Sequence, residues 1–294
     1  MRYRPRNPKF MRMRLKVGLC FAAAALSALA GPSTGSAEAL ATFGSAALRS
    51  GQGEEDGSAG GFSPRASKAG EPIQGYLTRP KGAGPFPALV LLHSCLGLPA
   101  TRRSMAAMFA GWGYVTLFVD DFTTRGIKDT CATDFGAGLP DAFGALLHLS
   151  RLPYVDPKRI AAVGYSQGAD TALQIASARF ASAIPSGPNF KAAAAFYPPC
   201  DNQANVRLAI PTLILIGALD DVTPAADCRR LARNQSGRRS EVRLVVYPGA
   251  YHLFDDPGFA SGKRMSGMWL KYDADAVGQS RSELRDFLAS KLAR

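Results

Sequence analysis

The chain has 294 residues, with 35 Lys+Arg against 23 Asp+Glu for a formal net charge of +12, and it is 47% hydrophobic and 20% charged. That balance excludes a largely disordered or collagen-like chain and fits one large globular domain or two small ones. Five cysteines do not make a disulfide scaffold at this length and three histidines leave little room for a metal site, while seven of the basic residues crowd into the first 16 and leave only +5 for the remainder, too ordinary an excess to point to nucleic acid.

The basic start, Arg2 to Lys16, runs into fourteen apolar residues at 17–30 (VGLCFAAAALSALA). The run is too short for a membrane span. Small residues follow, with A-x-A patterns at Ala28-Leu29-Ala30 and Ala37-Glu38-Ala39. Residues 1–30 therefore read as a signal peptide, with cleavage as late as 39, and the protein is expected to be exported, periplasmic or secreted, with no stable membrane span once the signal is removed. An N-terminal membrane anchor is the alternative. Residues 31–70 are rich in Gly, Ser and Ala without an apolar period and read as a flexible linker or arm. The folded domain is expected over 71–294.

From residue 71 strands and helices alternate. Strands are expected at Ile73–Leu77, Ala88–Leu92, Tyr114–Val119, Ile160–Tyr165, Ala192–Phe196, Thr212–Ile216 and Val242–Tyr247. Several are continuous apolar runs, as in strands buried on both faces. Helices are expected at Thr101–Trp112, Asp141–Leu152, from Gln167, at Ala225–Arg233 and at the C-terminus, where Val277, Leu284, Phe287, Leu288 and Leu292 share one face. The alternation predicts an α/β fold with a mostly parallel central sheet and helices on both faces.

Gly164-Tyr165-Ser166-Gln167-Gly168 matches G-x-S-x-G, between the strand IAAVGY and the helix QGADTALQIA. A serine at that junction sits on a tight turn where side chains two residues away on either side would clash, so both flanking positions need glycine. The turn exposes the hydroxyl above the sheet at a helix N-terminus, whose dipole favours developing negative charge. Gly31-Pro32-Ser33-Thr34-Gly35 matches the same pattern but lacks a preceding strand. The plain alternative for Ser166 is a capping serine in a Gly-rich turn.

A serine hydroxyl needs a base. In this arrangement the acid and then the histidine follow the serine along the chain, and His252 is the only histidine after Ser166. Asp220 and Asp221 directly follow a buried strand, and Asp220 is the better placed to hold the imidazole; Asp221 is left to cap the next helix or face water. The oxyanion donors expected are the backbone N–H groups of Gln167 and of Cys95, on the loop after Ala88–Leu92. His93 reads as a loop-ordering residue and His148 as structural or exposed. Neither a metal nor an organic cofactor is expected.

With these residues in place the chain resembles the dienelactone hydrolase family of α/β-hydrolases. The resemblance runs over about residues 72–292 through GYLTRP, PALVLLH with CLGL, GYVTLFVDDF, VDPKRIAAVGYSQGA, AFYPPC, PTLILIGALDDVTP and YPGAYHLF. It implies an α/β-hydrolase fold and places the acid at Asp220, four residues before Pro224. The best-known members use a cysteine nucleophile and hold a substrate carboxylate with two arginines. Here serine stands at the elbow, Arg125 is a candidate for one arginine, and Asp256 occupies the place of the other, so a neutral ester or lactone is as good a candidate substrate as dienelactone.

Without Cys20, which falls in the leader, four cysteines remain, and they allow three pairings. Cys200–Cys228 is favoured because both follow neighbouring strands near the catalytic rim, a link worth about 3–4 kcal/mol by chain entropy. Cys95–Cys131 would then be a second pair. The arginines between 229 and 243 lack interleaved aromatic residues and read as a solvated face, not a nucleic-acid surface. The expected function is an exported serine hydrolase of small-molecule carboxylic esters or lactones acting through an acyl-enzyme. The alternatives are a non-catalytic binding protein on the same scaffold, which a fluorophosphonate probe would leave unlabelled, and an acyltransferase, which added alcohols would reveal. The sequence leaves the oligomeric state open.

Overall fold

The computed structural model describes residues 38–48, 68–133, 135–180, 183–184, 187–265 and 267–293. All of them belong to one compact unit, Gly35–Arg294. The expected signal segment 1–30, Cys20 and the second G-x-S-x-G match lie outside the described residues.

In chain order the main elements are β1 (Glu38–Gly44), β2 (Pro72–Thr78), β3 (Phe86–Leu92), α1 (Arg102–Gly111), β4 (Val115–Asp120), α2 (Gly138–Ser150), β5 (Val155–Tyr165) and α3 (Gln167–Ala176). Then come β6 (Ala192–Phe196), β7 (Thr212–Gly217), α4 (Ala225–Asn234), β8 (Val242–Tyr247), β9 (Lys263–Met265), β10 (Met268–Leu270) and α5 (Ala274–Lys291). The first eight strands form one sheet in the order β1-β2-β4-β3-β5-β6-β7-β8, and β9 and β10 form a separate hairpin. Strands β3 to β8 run parallel, while β2 is antiparallel to β4 and β1 to β2.

The sheet is buried on both faces because strands β3 and β6 carry no polar side chain and β5 carries none with a charge from Ile160 to Tyr165. Along β3, Leu89 and Leu91 join Phe109 of α1 and Phe287 and Leu288 of α5 on one side. Val90 and Leu92 join Phe143, Leu146 and Leu149 of α2 on the other. This is the period-two alternation of a strand with both faces in use. In β6 the small Ala193 lies with Ala172 and Ala176 of α3, so helix and sheet pack without intervening bulk.

The domain begins earlier than residue 71. Residues 38–44, expected within the flexible arm, form edge strand β1, paired from Glu38↔Thr78 to Gly44↔Pro72. Ala41 and Phe43 are buried, and the Glu38 carboxylate takes a bidentate pair from Arg102 at 3.0 and 2.8 Å. Two buried side chains in seven give too weak a period to see in the sequence; backbone pairing to β2 supplies the rest. Among the described residues no helix is long and apolar enough to cross a membrane.

Candidate active site

The C-terminal ends of the parallel strands bring three side chains together. Ser166 sits between β5 and α3 at φ 53°, ψ −113°, its N–H bonded to the Phe196 carbonyl at 2.9 Å. The flanking glycines are required by contact as well as by dihedral. A Cβ on Gly164 would stand 2.0 Å from the Gly168 carbonyl oxygen, and one on Gly168 would stand 2.4 Å from that of Leu92. The turn can approach β3 this closely only without those side chains.

Ser166 Oγ lies 3.0 Å from His252 Nε2, and His252 Nδ1 lies 2.8 Å from Asp220 Oδ2. All three side chains are buried. Asp220 is held by the turn after β7. Its Oδ1 accepts the N–H groups of Val222 (3.0 Å) and Thr223 (2.8 Å), and its Oδ2 lies 3.0 Å from the Thr223 hydroxyl. That hydroxyl also stands 3.1 Å from the Tyr197 carbonyl, linking the turns after β6 and β7. Tyr197, at φ 42°, packs edge-on against the His252 ring with centroids 4.7 Å apart. Thr223 and Tyr197 were not singled out in the sequence, because their roles come from contacts between loops of different strands.

Asp221 neither caps α4 nor simply faces water. Its carboxylate accepts the Trp269 N–H at 2.9 Å, tying β10 to the acid turn, and Leu270 of β10 in turn bridges to His252. The β9–β10 hairpin thus braces the histidine loop.

The two residues expected to donate to the oxyanion lie on the α3 N-terminus and on the β3–α1 loop. The Gln167 N–H opens α3, where no intrahelical acceptor exists. Cys95 lies on the β3–α1 loop, which is fastened to the segment before α2: Cys95 is disulfide-bonded to Cys131, and its carbonyl accepts the Thr130 N–H at 2.9 Å. The Thr130 hydroxyl then donates to the Gln167 side-chain oxygen at 2.7 Å, so one short segment holds both donor-bearing residues. Cys200 and Cys228 form the second disulfide.

Arg125, expected as a substrate ligand, is engaged within the fold. Its guanidinium donates to Glu71 (2.9 Å), to the Asp121 carbonyl (2.7 Å) and to Asp141 at 2.7 and 3.2 Å. A buried carboxylate on α2 demands a counter-charge, and Arg125 supplies it. Ser45 adds a hydroxyl to the same Asp141. His93 orders its loop as expected: Nδ1 contacts the Ser94 carbonyl and Nε2 stands 2.7 Å from Asp121. Burial works against its charged form, but the Asp121 carboxylate outweighs burial and the pKa is raised. His148 lies on α2, its ring 5.7 Å from that of Phe43. Among the described residues no group of three or more His, Cys, Asp or Glu is arranged to hold a metal ion.

A cleft is lined by Ser94, Met105, Tyr165, Tyr197, Leu253 and Asp255 among others; Tyr165 precedes Ser166 in the chain and Tyr197 packs on His252. Asp255 accepts the Tyr197 hydroxyl at 2.6 Å. Burial pushes its pKa from 3.8 up to about 6, against the opposing pull of that hydrogen bond. A carboxyl raised in this way contributes fully to stability below about pH 4, and the contribution is lost as the pH rises through about 6. Asp255→Asn, which keeps an oxygen for Tyr197, is therefore expected to stabilise the fold by on the order of 2 kcal/mol at pH 7.5 and by little at pH 4. Urea midpoints at the two pH values measure this.

Comparison with known proteins bears on the family and the fold. Cutinase 1 of Thermobifida cellulosilytica is 26% identical over 202 residues, covering 68% of this chain and 73% of the cutinase. Among solved structures, a dienelactone hydrolase-like promiscuous phosphotriesterase from metagenomic libraries superposes with a TM-score of 0.63 at 18% identity, over 87% of this chain and all of that one. Thermogutta terrifontis esterase 2, phosphorylated by paraoxon, superposes with a TM-score of 0.57 at 21% identity, over 76% of this chain and 91% of that one. At these identities the two superpositions speak for the fold. The family model for the dienelactone hydrolase family matches residues 73–292, three quarters of the chain. The chain belongs to the dienelactone hydrolase family and has its α/β-hydrolase fold.

Proposed function

We propose that the protein is an exported serine hydrolase of carboxylic esters or lactones. The observation that carries this reading is the continuous contact from Ser166 Oγ through His252 to Asp220, at 3.0 and 2.8 Å. His252 Nε2 takes the proton as Ser166 Oγ bonds to the acyl carbon. Asp220 keeps the other ring proton on Nδ1 and stabilises the imidazolium. The carbonyl oxygen, now an alkoxide, accepts the N–H groups of Cys95 and Gln167. Collapse breaks the bond to the alcohol oxygen, which leaves with the proton from His252. Water, deprotonated by His252, then attacks the acyl-enzyme, and Ser166 leaves reprotonated. Ester cleavage is supported by family membership, by the cutinase similarity and by the esterase among the structural neighbours. A neutral ester or lactone suits the site better than a carboxylate substrate, because Arg125 is spent on Asp141 and an acid stands at position 256.

The two disulfides fit an oxidising compartment and so support export. A cut as late as residue 39 would discard Glu38 and its pair with Arg102, so the N-terminus of exported protein is expected before Glu38, as Edman sequencing would read. The test of the chemistry is covalent. A fluorophosphonate should phosphonylate the folded protein once, at the peptide carrying Ser166, and block ester turnover. An unlabelled, inactive protein would leave the binding-scaffold reading in its place.

A further inference from the structure

The cleft bordered by Tyr165, next in the chain to Ser166, and by Tyr197, which packs on His252, has an acidic wall. Asp255 and Asp256 stand side by side on it, and both line the space. Asp255 accepts one hydroxyl, from Tyr197, and Asp256 accepts the Gly258 N–H at 2.8 Å. Each carboxylate thus keeps acceptor capacity beyond a single bond to another residue. Tyr165, also on the wall, is only 7% exposed, and its hydroxyl has no hydrogen-bond partner among the described residues. That hydroxyl is free to accept a hydrogen bond from a group entering the cleft. The rings of Tyr165 and Tyr197 lie 6.4 Å apart, tilted to one another. Two nearby cations are accounted for. His93 is matched by Asp121 at 2.7 Å, and Arg281, whose charge reaches Asp255, lies exposed on α5 outside the lining.

We propose that this cleft is a subsite for an ammonium group carried by the ester, with Asp255 and Asp256 as counter-charges, the Tyr165 hydroxyl as an acceptor and the tyrosine rings as walls. The proposal rests on the serine-hydrolase reading and gives it a substrate class. A carboxylate acceptor beside aromatic faces attracts a partly desolvated cation by both charge and ring quadrupole. The same wall repels an anion.

Three butyrate esters of nearly equal shape test it at pH 7.5: dimethylaminoethyl (cationic), isoamyl (neutral) and carboxyethyl (anionic). A second set carries the same three charges on the acyl chain of phenyl esters. In at least one set, kcat/KM is expected to favour the cation over the neutral ester by about tenfold and the neutral ester over the anion. Asp255→Asn is expected to bring the cation-to-neutral ratio close to one. The ratio is internal to each protein, so a general loss of activity in the variant does not disturb it. A ratio at or below one in both sets, or a ratio unmoved by Asp255→Asn, overturns the proposal. If no ester turns over and no fluorophosphonate adduct forms, the hydrolase reading fails separately. The cleft is then judged by calorimetric titration with dimethylaminoethanol against isoamyl alcohol. Tighter binding of the amine, lost in Asp255→Asn, supports the subsite, and equal binding overturns it.

Discussion

Ser166→Ala is expected to lower kcat for a carboxylic ester by about 10⁵- to 10⁶-fold while leaving the fold intact. The hydroxyl is the atom that His252 Nε2 meets at 3.0 Å, and alanine offers nothing in its place. The backbone asks little of the exchange. Serine already holds φ 53° with a Cβ, and the groups that enforce the turn are the Ser166 N–H to Phe196 bond and the two flanking glycines. The urea midpoint should therefore stay close to that of the unsubstituted protein. Steady-state rates on an activated ester, corrected for spontaneous hydrolysis, measure the effect. Retention of a tenth of the activity would mean that another group attacks the carbonyl, and the proposed chemistry would fall.

The features legible in the sequence were those dictated locally. Strand β6 begins and ends where its apolar run does, because a strand buried on both faces must be apolar throughout. The serine turn was legible because its glycines are a steric necessity within five residues. Asp220 could be told from Asp221 by its place in the turn, but the partner of Asp221 could not be foreseen. Trp269 lies 48 residues away on a hairpin too short to announce itself. Arg125 misled for a related reason. A cation near a strand end looks like a ligand for substrate until its buried partner is known, and Asp141 sits on a helix that carries no other sign of an ion pair. Strand β1 was hidden because backbone pairing to β2, which any residue but proline can make, supplies most of its attachment.

The acid offers the sharper test of how the site is organised. Asp220→Asn is expected to lower kcat by about 10⁴-fold through a wrong tautomer. The orientation of the new amide follows from its neighbours. Position Oδ1 receives two backbone N–H groups, from Val222 and Thr223, so the amide oxygen must occupy it. The amide nitrogen then takes the place of Oδ2, 2.8 Å from His252 Nδ1, and donates to that ring nitrogen. The ring proton is driven to Nε2, which faces Ser166 as a donor and can no longer accept the serine proton. The Thr223 hydroxyl accommodates the change by donating to the Tyr197 carbonyl, 3.1 Å away. Stability should thus fall far less than rate. Nitrogen-15 shifts of His252 would show the proton on Nε2 in the variant and on Nδ1 in the parent. Neither neighbouring acid can substitute: Asp221 is held by the Trp269 N–H and Asp255 by the Tyr197 hydroxyl. A loss smaller than tenfold would mean that His252 keeps its tautomer without Asp220, and the role given to that carboxylate would have to be abandoned.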